Sequence, residues 1–474
     1  MSFSKKSVSR RAFLRTASLG AGAIALAACA APAAAPAGAP ATPAAPAATA
    51  AAPAATEPTA APATAGDVAG ELTFWGHADH PVDNAGRAFA KANPGVTWTF
   101  VELGDDRVQK VDATLAAGSG APDLFWYEAS DIQRLGRTGA LLDVDELVKQ
   151  YEKDLVPAKL AEAKVNGKYL GMPGDITPNT LWVRPDLLEK AGVPALADDV
   201  KYEDFLAAAK TVKEKADASM YVFDSTGTGQ SSLMFMQPFY SLGGNFTNET
   251  GEEVIFDQGD AAVKSLEYAK AAWDAKAGLD AGWFSAPYWG AIGEGKLAGT
   301  YSPPWMRGFF EAQLKGPEQG IGKWKSVLLP IYAGGEKVRS NVFGGATLAS
   351  FNQTKVPDLV KTFMGYTFAS MEGAQITGDW GIVPPYTPWL STKLKDIKQT
   401  LFTDATWADT LNASLAQLRT DYYRTPGYGL GSSGAIWDKY FMPMMKGEMA
   451  IADGVKGWAN DLRTENKKLL DSLK

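Results

Sequence analysis

From about Gly66 onward the chain alternates short apolar runs with longer stretches whose apolar residues recur every three or four positions. Leu72-Thr73-Phe74-Trp75 is a run of strand length, and Gly76-His77-Ala78-Asp79-His80 is the loop at its end. Phe89, Ala90 and Ala92 predict a helix closed by Asn93-Pro94-Gly95, and Val96 to Val101 predicts a second strand. Asp105 or Asp106 can cap the next helix, whose Val108, Val111 and Leu115 share a face and which Gly118-Ser119-Gly120 ends. Pro122 bars helical continuation. Leu124-Phe125-Trp126 then reads as a strand buried on both faces. Strand, helix, strand, helix, strand with short connections predicts a parallel, doubly wound α/β sheet. In such sheets ligands gather outside the carboxyl ends of strands. That places Trp75, His77, Tyr127, Glu128 and Asp131 at a candidate site.

The pattern continues with a hairpin at Asn166-Gly167 and a strand at Leu181-Trp182-Val183. A helix starts at Pro185 and ends at Gly192. Helical spacing covers Tyr202 to Lys215, Leu233 to Leu242 and Asp260 to Lys276. Strands are predicted at Leu297 to Tyr301, Lys323 to Leu329 and Thr347 to Phe351, the last after the glycine pair Gly344-Gly345. A helix runs from Val356 to Ser370, and Gly378-Asp379-Trp380-Gly381 reads as an irregular loop. The last helix carries Val455, Trp458, Ala459 and Leu462 on one stripe.

The N-terminus is of another kind. Ser9-Arg10-Arg11-Ala12-Phe13-Leu14-Arg15 resembles a twin-arginine export signal, though the general export route stays open. The apolar stretch Ala17 to Ala28 is shorter than the ~20 residues a bilayer span needs, so it reads as a cleavable signal core. Leu26-Ala27-Ala28-Cys29 resembles a lipobox, in which Cys29 receives diacylglycerol; as the only cysteine it has no disulfide partner. Ala30 to Ala65 is nearly all Ala and Pro, a tether that cannot bury a core.

The net charge is −7, and the five cations before Cys29 leave −7 − 5 = −12 for the rest. An acidic body argues against nucleic acid as a partner. With two histidines and one cysteine there is little material for a metal site, and His77, Asp79 and His80 lack zinc-ligand spacing. Gly-x-Ser-x-Gly, His-Glu-x-x-His and the P-loop motif are all absent from the sequence. No cofactor is implied. Aromatic usage is high, with 14 Trp, 16 Tyr and 21 Phe; tryptophan at that level is more than a core requires, and surplus rings line binding clefts.

The order of these motifs resembles the family-1 extracellular solute-binding proteins of bacterial ABC importers, relatives of the maltose-binding protein. The resemblance rests on Leu72-Thr73-Phe74-Trp75-Gly76, on Ser119 to Phe125, on Asn166 to Pro173, on Pro185 to Gly192, on Pro304-Trp305 and on Phe343-Gly344-Gly345. It implies a type II periplasmic-binding-protein-like fold: two α/β lobes, a hinge of crossing segments and a ligand cleft between them. The implied boundaries are a signal peptide 1–28, a tether 29–68, lobe 1 at 69–177 and 342–400, and lobe 2 at 178–341 and 401–474. The implied function is capture of a sugar or oligosaccharide for delivery to a membrane permease. The protein is expected to be monomeric, extracytoplasmic and anchored through Cys29. A peptide or polyamine ligand, or a surface glycosidase or lyase, are the alternatives.

Trp305 sits where the resemblance implies a ring beneath a sugar, with Trp75, Trp380 and Trp437 as further stacking candidates. His77, Glu128, Asp131 and Asp175 are candidates to bond hydroxyls, and Gly345 to let the backbone approach the solute. Trp283 and Trp289 are placed at the cleft rim, and Arg307 is read as a solvated helix residue.

Overall fold

The computed structural model describes residues 68–104, 106–225, 231–404, 406–419, 421, 423–432 and 434–473; the export signal, the tether and Cys29 lie outside these. The first three apolar runs become β1 (Gly70–Gly76), β2 (Val96–Glu102) and β3 (Leu124–Glu128), with β1 central and parallel to both neighbours. Leu72 and Phe74 are buried beneath one layer of helices, and the period-two alternation sends Trp75 to the other face. Helix Pro81–Ala92 begins with Pro81 in its first turn and His80 Nδ1 accepting from the Val82 N–H at 3.2 Å. Asp123 ties the sheet together. Its Oδ2 accepts from the Thr73 N–H at 2.9 Å and its Oδ1 from the Thr354 hydroxyl at 2.6 Å.

The expected hairpin joins β4 (Lys164–Val165) to β5 (Lys168–Tyr169). Asn166 and Gly167 have φ of 50° and 82°, the positive pair that a two-residue turn matching strand twist requires. After β6 (Met172–Pro173) the chain leaves for the second lobe. There β7 (Thr180–Val183) centres an antiparallel sheet, while β8 (Val222–Phe223) and β9 (Leu279–Asp280) pair separately. The flanks of β7 are β10 (Gly299–Ser302) and β11 (Lys325–Val327).

The last strand, β12 (Ala346–Ala349), inserts between β3 and β6 and runs antiparallel to both, so the first sheet is mixed, not purely parallel. The reason is topological. The chain re-enters from the second lobe at the end where β3 stops, so Ala346 pairs with Glu128 and β12 must run the other way.

Residues 174–180 and 340–346 form two crossing segments that lie antiparallel to each other. The Phe343 N–H donates to Thr177 O at 3.2 Å and the Asn179 N–H to Asn341 O at 3.2 Å. The side chains of Asn179 and Asn341 bond at 2.8 Å. The Ser340 and Ser414 hydroxyls both donate to Asn179 O, bringing helix Thr406–Leu415 to the same place.

Two expectations change here. Gly378 to Trp380 is not loop but the end of helix Met371–Trp380. Ser370 caps its start by accepting from the Gly373 N–H at 3.1 Å, and Gly381 stops it. Its last carbonyls are satisfied from elsewhere in the chain: Arg307 donates to Gly378 O at 2.9 Å and to Asp379 O at 2.6 Å. Arg307 is therefore not solvated; it is 0 % exposed and also pairs with Glu311 at 3.0 Å.

Trp437 is 1 % exposed, stacked on Phe441 at 4.2 Å and edge-on to Trp458 at 5.4 Å. It is a core residue of the second lobe, not a cleft residue. Trp437, Phe441 and Met444 form the inward stripe of helix Gly434–Lys446, which packs on helix Ile451–Ser472.

Candidate functional site

A group of aromatic side chains that remain partly open gathers on one wall. Trp305 follows Pro304 at the start of helix Met306–Gln313, and Phe309 lies one turn further along the same face. Their rings meet edge-on at 5.9 Å. Trp283 lies 5.6 Å from Trp305, and Phe284 lies nearly parallel to Trp305 at 6.4 Å. Phe284 is 41 % exposed at a φ of 62°, an unusual backbone state for a bulky residue and one that clusters at ligand sites. Trp289 adjoins Phe284 at 6.1 Å.

The wall reaches the first lobe through Trp380 and His77. Phe309 meets Trp380 edge-on at 5.4 Å and His77 at 6.4 Å. His80 follows His77 at 4.6 Å and contacts Trp126 at 5.4 Å. Burial lowers the pKa of both histidines, that of His80 well below its ordinary value, with the neighbouring His77 and Arg107 acting in the same direction. Both imidazoles are accordingly neutral at neutral pH. Among the described residues no group of three or more His, Cys, Asp or Glu is arranged to hold a metal ion.

Trp305 is also tied to the hinge. Its indole N–H donates to Phe343 O at 3.2 Å, next to Gly344 and Gly345 at φ of 77° and 93°. A Cβ on Gly344 would lie 3.1 Å from that indole nitrogen, and one on Gly345 would lie 2.8 Å from Lys159 Nζ. These positions need glycine for backbone angle and for space. Gly345 is buried, and its Cβ direction is closed off by Lys159, Val342 and Thr177.

The remaining candidates divide. Trp75 is half-buried but packs on the Val111, Phe125 and Tyr127 cluster, away from the wall; the alternation of β1 sends it there. Asp131 pairs with Arg134 at 3.1 Å, and Arg134 also holds Asp112 at 3.0 Å, so this carboxylate is engaged beside helix Arg107–Ala116. Glu128 pairs with Arg424. Asp175 is 2 % exposed and accepts from the Ala346 N–H at 2.5 Å, joining the first crossing to β12. The residues that sequence reading missed are Phe284, Phe309 and Arg424. Phe309 was signalled by its i+4 spacing from Trp305 and Phe284 by its neighbour Trp283, whereas Arg424, in an irregular segment, carried no signal.

Burial raises the Asp175 pKa to about 7; the Lys159 cation opposes this, Glu128 and Glu162 reinforce it, and the Ala346 N–H opposes it. An acid whose pKa is higher folded than unfolded favours the fold when protonated. That contribution is complete below the unfolded value near ~4 and is lost as pH rises through about 7. Asp175→Asn keeps an acceptor for Ala346 and removes the titration. Chemical unfolding at several pH values is expected to show the stability difference between pH 5 and pH 7.5 shrinking by roughly 2 kcal/mol in the variant. An unchanged pH profile would contradict this role.

Cavities of about 600 and 560 Å³ open elsewhere on the second lobe, one lined by Tyr202, Lys210 and Tyr268 and the other by Ser219, Asp280 and Lys296. Neither includes the aromatic wall.

Residues 84–393 match the family model described as bacterial extracellular solute-binding protein. An arabinooligosaccharide-binding protein of Bacillus subtilis is 26 % identical over 312 residues, 64 % of this chain and 68 % of the relative. Among solved structures, the ABC transporter associated binding protein of B. animalis subsp. lactis in complex with beta-1,6-galactobiose aligns with a TM-score of 0.71 at 21 % identity, covering 85 % of this chain and 98 % of that one. The GacH receptor of Streptomyces glaucescens aligns with a TM-score of 0.70 at 20 % identity, covering 86 % and 100 %. Such likenesses establish the type II periplasmic-binding-protein fold, with two α/β lobes either side of a hinge. On the family match across most of its folded length, the chain belongs to the bacterial extracellular solute-binding proteins.

Proposed function

We propose that this chain captures a neutral oligosaccharide between its lobes and presents it to the permease of an ABC importer, held at the membrane by lipid on Cys29. The observation that carries the reading is the wall of Trp305, Phe309, Phe284 and Trp380, which meets His77 of the first lobe. A sugar ring has apolar C–H faces and polar edges, so flat rings with neutral hydrogen-bonding groups beside them suit it. Glu128 is already paired with Arg424, which leaves one carboxylate fewer to attract a polyamine. The relatives named for arabinooligosaccharide and galactobiose support the same ligand class.

Tryptophan fluorescence titrations with arabino-, galacto- and malto-oligosaccharides, and with spermidine and short peptides, test the reading. A saturable response to a sugar is expected, with a stabilisation of about 2.7 kcal/mol at a hundredfold excess over Kd. Response only to amines or peptides, or the appearance of new reducing ends, would overturn it.

A further inference from the structure

We infer that Glu128 and Arg424 form the latch that sets the balance between open and closed lobes, so that Glu128 acts on Arg424 and not on the solute. The inference concerns the ligand-free protein and does not depend on which solute is bound.

Arg424 belongs to a segment anchored in the second lobe. Arg419 donates to Gly244 O at 2.6 Å, the Tyr423 N–H to Asn245 Oδ1 at 3.2 Å, and the Thr425 and Thr247 hydroxyls share a bond of 2.6 Å. From there the Arg424 guanidinium lies 5.1 Å from the Tyr428 ring centroid and reaches two other parts of the molecule. It donates to the carbonyls of Gly344 and Gly345, the latter at 3.0 Å, and it pairs with the Glu128 carboxylate at the end of β3. One cation thus joins the first lobe and the returning crossing to the second lobe. A second bond joins the same edges: Arg137, on helix Ala129–Thr138, donates to Thr250 O at 2.9 Å.

The carbonyls it holds belong to the positive-φ glycines, the positions best able to rotate as lobes part. Rotation there would carry the carbonyls and Glu128 away from Arg424 together, so opening the lobes by this route breaks these bonds and the bonds favour the closed form. The Arg424 side chain is 4 % exposed and that of Glu128 48 %, so Glu128 rehydrates readily on opening while Arg424 gives up its bonds to Glu128 and the two glycine carbonyls.

The test is small-angle scattering of the purified protein with no solute added, comparing wild type, Glu128→Gln, Arg424→Gln and the double variant, with circular dichroism to verify folding. Each single variant is expected to raise the open-to-closed ratio roughly tenfold, the scale of one charge-assisted bond at a half-exposed site. In the double variant the Glu128 substitution is expected to add little beyond Arg424→Gln, because its partner is already gone. Glu128→Gln is the decisive variant, since a half-exposed residue tolerates it. Scattering identical to wild type, or strictly additive effects, would overturn the latch. A Glu128 that served only as a sugar ligand would leave ligand-free scattering unchanged. The oligosaccharide titration can fail independently, so the two readings are separable.

Discussion

Replacing Trp305 with alanine is expected to weaken oligosaccharide binding by about 2–3 kcal/mol, roughly 30- to 150-fold in Kd. Trp305 is central to the wall: Trp283, Phe284 and Phe309 all touch it, at 5.6, 6.4 and 5.9 Å. Its removal deletes the largest flat surface and lets its neighbours collapse into the space. The indole has a second task, because its N–H donates to Phe343 O beside the hinge glycines. Trp305→Phe separates the two, since it keeps a ring and loses the donor. Isothermal titration is expected to find most of the affinity retained in the phenylalanine variant and lost in the alanine one. Equal loss in both would place the contribution in the hinge bond, and no loss in either would remove Trp305 from the site.

Arg307→Ala is expected to destabilise the protein by about 3 kcal/mol, measured as a denaturant midpoint shift at constant slope. The fully buried guanidinium donates to Gly378 O, Asp379 O and Glu311, and lies 5.8 Å from the Trp407 ring centroid. Its loss strands the last carbonyls of helix Met371–Trp380 in a place where water does not replace the bonds. Glu311 keeps the Thr400 and Leu401 N–H donors, which moderates the cost. The same helix end presents Trp380 to Phe309, so affinity is expected to fall along with stability. A surface arginine would show neither effect.

The legible part of the fold was local. Apolar runs at Leu72, Val96 and Leu124 became the first three strands, and Asn166-Gly167 closed its hairpin, because strand period and positive-φ turn chemistry act within a few residues. The direction of β12 was not legible, since a strand's own residues do not say from which end it enters a sheet. Helix Met371–Trp380 was missed because Gly378 and Gly381 read as breakers, while the donor that caps its end lies some seventy residues earlier, at Arg307.

The site divides along the same line. Trp305 and Trp380, with the rim residues Trp283 and Trp289, do share one wall, and a surplus of aromatic residues had pointed to one. Trp437 and Trp75 look no different in sequence, yet a helix stripe turns one into the second core and strand alternation turns the other beneath the first sheet's helices. The sequence alone therefore determined the α/β class, most of its local elements and the kinds of side chain available for binding, because these depend on local periodicity and composition. Only the tertiary structure decided which indoles share one partly open wall, that Glu128 is engaged by Arg424 and that Asp175 is a buried strut, because burial and pairing depend on residues distant in the chain.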